Sequence, residues 1–155
     1  MKQEKDLESG TDSAIGRPYF IISGAFYKDK CFPGLNDLLH EAERHPKAYN
    51  DMKRQYEFLA INAIRRYLKG FKAQTLIIPH YTFSEPLKGQ IRDYDNIASA
   101  ARKIINDAMV KTNTIKDDKP CYLEYGTNTF IYSDTPYIKV ELEVATPVNQ
   151  SQKKL

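Results

Sequence analysis

Tyr137-Ile138-Lys139-Val140-Glu141-Leu142-Glu143-Val144 alternates apolar and charged side chains without a break over its last seven positions. Successive side chains of a strand point to opposite faces, so this run predicts a β-strand with one face buried and one wet. Between Asp95 and Lys111 the period changes. There Ile97, Ala100, Ala101, Ile104, Ile105, Ala108 and Met109 recur at three- and four-residue spacing, which is the stripe of an amphipathic helix. A chain that uses both periods must bury a sheet face against helix stripes. The expectation is a single small α+β domain, a mixed β-sheet with helices packed on it.

Working outward, Arg17 to Phe26 is aromatic and β-branched and predicts a first strand. Phe32-Pro33-Gly34 marks a turn, after which Asn36 is placed to cap a short helix through Leu38 to Arg44. Pro46 opens a longer helix to about Leu68, closed by Gly70, with Tyr56, Leu59, Ala60, Ala63, Ile64 and Tyr67 on its apolar stripe. Gln74 to Thr82 predicts a strand in which Pro79 suggests an edge or an end. A polar loop over 83–92 carries Pro86 and Gly89. Two further strands are expected near Cys121–Tyr125 and Thr129–Tyr132. The polar stretches set the outer bounds: an arm over 1–16, the folded domain over 17–146, and a flexible tail over 147–155.

The chain has 155 residues, 41% of them hydrophobic, which suits one domain with a sizeable core. Net charge is +3, from 23 basic and 20 acidic side chains, and this permits nucleic-acid binding without requiring it. Lys53, Arg54, Lys88 and Arg92 are candidates for DNA contact, the alternative being a solvated charged face. Cys31 and Cys121 are too few and too separated for a zinc site and read as thiols of a reducing compartment. Met1 to Asp6 lacks the apolar core of a signal peptide, and no apolar run reaches membrane-spanning length. Those features predict a cytoplasmic protein with no membrane partner.

The acids are distributed unevenly. Asp93 and Asp95 flank Tyr94 at a loop-to-helix junction, where Asp95 takes the N-cap position and Asp93 is favoured by the helix dipole. Asp117-Asp118 reads equally as a turn between helix and strand. A second reading joins the pairs. The helix between them spans roughly 24 Å, and residues 112–118, if extended, cover much of that distance. Three carboxylates meeting in one place repel, and a hard divalent cation neutralises them. Oxygen-only ligation favours magnesium or manganese, and such an ion in a basic protein suits phosphodiester hydrolysis. Asp95, Ser99, Lys103 and Asp107 form an i, i+4 row, and Lys103 is expected to lean back toward the aspartates and stabilise a phosphate. Its alternative is a surface pair with Asp107. Of the histidines, His40 and His45 suggest nothing beyond helix and break positions, and His80 is either a strand-packing residue or a general base.

Arg92-Asp93-Tyr94-Asp95-Asn96-Ile97, then Lys103, Asp107-Ala108-Met109 and Ile115-Lys116-Asp117-Asp118, together resemble the RusA-like endodeoxyribonucleases. These are Holliday junction resolvases found mainly in bacteria and their prophages. Pro33-Gly34-Leu35-Asn36-Asp37, Ala48 and Met52-Lys53 are similar to the lead-in of the firmicute and phage branch, and the final alternating strand matches as well. The likeness spans about residues 18 to 145. It implies a homodimer that cuts four-way DNA symmetrically with magnesium, or manganese in its place. It places the metal on Asp93, Asp95 and Asp118, with Asp117 and Asn96 as further candidates and Lys103 as the essential lysine. The stretch from Asp95 to Asp107 is about one helical turn longer than in the best-known form. Counted forward from Asp93, Ser99 fills the lysine position; counted back from Asp107, Lys103 does, which keeps the charge. Two other functions fit the composition: a non-catalytic DNA-binding accessory protein of phage replication, and a general structure-selective nuclease for forks and flaps.

Overall fold

The computed structural model describes residues 16–23 and 31–145. Residues 1–15 of the expected arm over 1–16, the expected tail over 147–155 and the end of the expected first strand, residues 24–26, lie outside them. In chain order the elements are β1 (Tyr19–Ser23), α1 (Leu35–Arg44), α2 (Pro46–Leu68), β2 (Ile77–Pro86), α3 (Tyr94–Lys111), β3 (Asn128–Ser133) and β4 (Tyr137–Val144).

The four strands form one mixed sheet in the order β1-β4-β2-β3. β4 runs antiparallel to both β1 and β2, while β2 and β3 are parallel. Register follows the alternation predicted for β4. Ile138 faces Ile22 and Phe83, Val140 faces Phe20 and Tyr81, and Leu142 faces Pro79. These side chains share one side of the sheet and are buried with the stripes of α2 and α3. Lys139, Glu141 and Glu143 alternate to the other side, beside Ile21, Thr82 and His80. All seven apolar positions expected on α3 are buried, and α1 packs against both longer helices. The α+β expectation holds. Among the described residues, no helix is long and apolar enough to cross a membrane.

Three local readings change. Gly34, with extended backbone, takes the N-cap of α1, and Asn36 lies inside the first turn. The Gly34 N–H donates to Asp37 Oδ2 at 2.8 Å, a bond the sequence did not suggest. β2 continues to Pro86, so residues 83–86 belong to the sheet rather than to a loop. The segment near Cys121–Tyr125 is a turn with a single bridge, Leu123 to Ile77.

Pro79 explains how a proline sits in a strand with neighbours on both sides. The Ile77 N–H donates to the Tyr122 carbonyl and the Tyr81 N–H to the Thr127 carbonyl. The missing N–H of Pro79 falls between them on that same side, before β3 begins. The strand is interior to the sheet but locally an edge at this point. Gly126 fills the gap: a Cβ there would lie 2.1 Å from the Pro79 oxygen, so only glycine allows the approach.

Candidate active site

α3 starts where the chain leaves β2 and the loop of residues 87–92. Asp93 has extended backbone, and its Oδ1 accepts a 2.8 Å hydrogen bond from the Asn96 N–H. Asp93 is therefore the N-cap, a place the sequence reading gave to Asp95. Asp95 stands in the first turn, exposed, and only its backbone carbonyl is bonded, by the Ser99 hydroxyl at 2.6 Å. The cap occupies one oxygen of Asp93. The other oxygen and the whole Asp95 carboxylate remain for a ligand, since no further partner for them is found among the described residues.

The flanking residues of the motif are turned inward. Arg92 Nε and Nη2 donate to the two oxygens of Glu85 at 2.7 and 2.9 Å, and Nη1 donates to the Phe32 carbonyl at 3.0 Å. Its side chain is only 14% exposed. Burial works against its charge, but the bidentate contact with Glu85 outweighs burial and raises the Arg92 pKa above its usual value. Asn96 Oδ1 accepts from the Asn36 N–H at 2.8 Å, which ties the first turn of α3 to the first turn of α1. A Cβ on Gly34 would meet that oxygen at 2.6 Å. Two expectations change with this. Arg92 is not presented for DNA contact, because Glu85 and Phe32 take its donors. Asn96 is not presented as a ligand, because its oxygen caps a neighbouring helix. Both residues instead fix where Asp93 and Asp95 sit.

The later acids lie elsewhere. After α3 the chain reverses at once: Asn113 is left-handed at φ 60°, and the N–H groups of Thr114 and Ile115 both reach the Met109 carbonyl. Ile115 is buried. The extended run expected over 112–118 is shortened by this turn, so Asp118 comes to rest beside the C-terminal half of α3. Its Oδ2 lies 3.8 Å from Lys103 Nζ. Lys103 also reaches Asp107 at 3.3 Å, and Lys53 reaches the other oxygen of Asp107 at 3.4 Å. Asp95 and Lys103 are separated along the axis by about 12 Å.

Two acidic groups therefore lie at α3: Asp93 with Asp95 at its start, and Asp107 further along with Asp118 beside it, the latter two held by lysines. The expected meeting of Asp118 with Asp93 and Asp95 is not present, and among the described residues no three metal-ligating side chains meet. The Lys103 ammonium lies within ion-pair reach of two carboxylates, Asp107 and Asp118. Its surface pair with Asp107, the alternative read from the sequence, is present. Ser99 bonds the Asp95 backbone and carries no charge to this region. Asp117 accepts from the Asp118 N–H at 2.8 Å, which holds its carboxyl below the usual range, with help from Lys119.

Of the proposed DNA contacts, Arg54 and Lys88 are exposed and Lys53 is committed to Asp107. His80 sits on the sheet face away from the helices, with Nε2 2.7 Å from Glu143 and Nδ1 2.8 Å from the Thr127 hydroxyl. These contacts fit the strand-packing reading.

Sequence reasoning missed Arg102. It is 4% exposed, its Nη1 donates to Asn128 Oδ1 at 2.6 Å, and its guanidinium lies between the rings of Tyr81 and Tyr125. No local pattern signals this, because every partner comes from a distant strand or loop. Burial raises the Tyr81 phenol pKa above its usual value, and its hydroxyl donates to Asn106 at 2.9 Å.

No family model matches the chain, and no curated protein matches it. The case for a function rests on the motif and on this geometry.

Proposed function

We propose that this protein is a metal-dependent endodeoxyribonuclease that resolves four-way DNA junctions as a homodimer. The observation that carries the reading is the pair Asp93 and Asp95, both exposed at the start of α3 and set in place by inward-facing Arg92 and Asn96. The sequence resemblance to RusA-like resolvases supports it. It also suggests a role in recombination and repair in the cytoplasm of a bacterium, encoded by a prophage.

The donor set fits magnesium or manganese. Both carboxylates are oxygen ligands, and magnesium is commonly held by one or two carboxylates, with waters and substrate phosphate filling the other positions. When bound, the ion supplies water activation and stabilises charge on the scissile phosphodiester. Asp93 and Asp95 would hold it. Arg92 and Asn96 keep the turn rigid. Lys103 lies further along α3 with Asp118 beside it, where it would offer a cation to a neighbouring phosphate of the bound DNA. Arg54 and Lys88 are placed for sequence-independent phosphate contacts. A two-fold dimer sets two such sites on opposed strands of a symmetric junction.

Labelled four-way junctions incubated with the protein in magnesium or manganese should give paired symmetric nicks with 5′-phosphate ends. Replication forks and linear duplex at the same salt should be cut far more slowly. Equal cutting of forks and flaps would favour a general structure-selective nuclease. Binding without any nick in either metal would leave an accessory DNA-binding protein. The separation of Asp118 from Asp93 and Asp95 is the observation that keeps this second reading in play.

Asp118→Asn separates a structural from a catalytic role. The pair it makes with Lys103 is at the surface and is worth at most about 1 kcal/mol. Its melting temperature should therefore stay within a few degrees of wild type. Loss of cleavage at unchanged stability would place Asp118 in the chemistry, whereas full cleavage would confine the metal site to Asp93 and Asp95.

A further inference from the structure

Tyr94 stands between the two aspartates, and 58% of it is exposed. Its ring is nonetheless not loose. It stacks on Phe130 of β3, with centroids 4.1 Å apart and planes 14° from parallel. Phe130 stacks on Phe83 of β2 at 5.2 Å and 18°, and Phe83 on Tyr81 at 5.5 Å and 13°. Phe83 and Tyr81 are fully buried in the sheet. Four near-parallel rings thus form a column that begins in the core and ends at the surface beside Asp93 and Asp95. The Tyr94 hydroxyl has no hydrogen-bond partner among the described residues, and Phe130 is its only ring partner there. One face of the outermost ring is backed by Phe130, while more than half of the residue is exposed.

We propose that Tyr94 is a stacking platform for an unpaired nucleobase next to the phosphate engaged by Asp93 and Asp95. This rests on the nuclease reading above. A single ring is too small to dock a protein, whose specific interfaces need many residues on each side. It is the right size for a planar heterocycle. Bases within an intact duplex are stacked on both faces and offer no free surface. A base at a branch point, or in a single strand, does. The ring is already ordered by its column, so little conformational freedom is lost when a base settles on it. Stacking of this kind does not depend on sequence, because every base has a flat face. The platform therefore selects opened DNA structure over paired DNA next to the proposed metal ligands.

The test uses the full chain without metal, so that binding is read apart from cutting. The probes are a four-way junction, a single strand and a paired duplex, each with 2-aminopurine at the matching position. Wild type and Tyr94→Phe should bind the junction and the single strand alike and quench the probe. Tyr94→Ala should bind both roughly five- to a hundredfold more weakly, without quenching, and should bind duplex unchanged. Tyr94→Leu, which keeps packing against Phe130 but lacks a π face, should behave like Tyr94→Ala at wild-type stability. Quenching and affinity preserved in Tyr94→Leu and Tyr94→Ala would overturn the proposal while leaving the nuclease reading intact. Failure of wild type to bind any of the three DNAs would overturn both.

Discussion

Asp95→Asn should abolish junction cleavage in magnesium while leaving junction binding within a few-fold of wild type. The substitution keeps the size of the side chain and removes one charge from a carboxylate with no partner among the described residues. Asp95 is exposed and its carboxylate holds no cap, so only its interaction with the helix dipole is lost and stability should fall by at most about 1 kcal/mol. Loss of residues that merely orient a metal ligand typically costs 10–100-fold, so loss of a direct carboxylate ligand should cost at least about a hundredfold. Cleavage and gel-shift assays on the same junction, with the melting temperature as a control, make the comparison. Full activity of Asp95→Asn in magnesium would remove the assignment. The parallel change Asp93→Asn is a less clean probe, because Asp93 also caps α3 and an altered cap disturbs the turn that positions Asp95.

Arg92→Ala should have the largest effect on stability. It removes both bonds to Glu85 and the bond to the Phe32 carbonyl, and it leaves the Glu85 carboxylate buried without its cation. Breaking a buried pair on one side costs about 3–5 kcal/mol. In a domain of this size that corresponds to a fall in melting temperature of roughly 10 °C or more. Arg92→Lys should recover little, since an ammonium cannot match both carboxylate oxygens in one plane. A double variant, Arg92→Met with Glu85→Leu, should recover most of the loss, because neither charge is then stranded. Thermal unfolding followed by circular dichroism reads all three. An Arg92→Ala protein as stable as wild type, with DNA affinity sharply reduced, would return Arg92 to the DNA-binding role expected from the sequence.

The fold was legible wherever one periodicity ran long enough. The alternation at Tyr137–Val144 and the stripe from Ile97 to Met109 each describe their own burial, and α2 ends where Pro46 and Gly70 say it should. Signals failed where partners lie far away in sequence. Asn36 has the right chemistry for a cap, yet Gly34 takes the place because Asn96 and Arg92 crowd it. Pro79 suggested an edge or a strand end, whereas it lies within an interior strand, at a point where β3 has not yet begun. The place of Asp93 and Asp95 at a loop-to-helix junction was legible, though the cap falls to Asp93 rather than Asp95. The place of Asp118 was not, because it depends on a tight turn at Asn113 and on the burial of Ile115. The inward roles of Arg92 and Asn96 were hidden for the same reason: their partners are Phe32 and Asn36.

The strand order carries a consequence for how the chain is made. Among the described residues β1 pairs only with β4 within the sheet, and β4 follows it by more than a hundred residues of chain. At synthesis rates of about 5–20 residues per second, Phe20 and Ile22 wait on the order of ten seconds for Val140 and Ile138. During that time a β-branched, aromatic segment stays available to wrong partners. The first strand is therefore the place where a nascent chain would need a chaperone, and where overexpression would first show as aggregation.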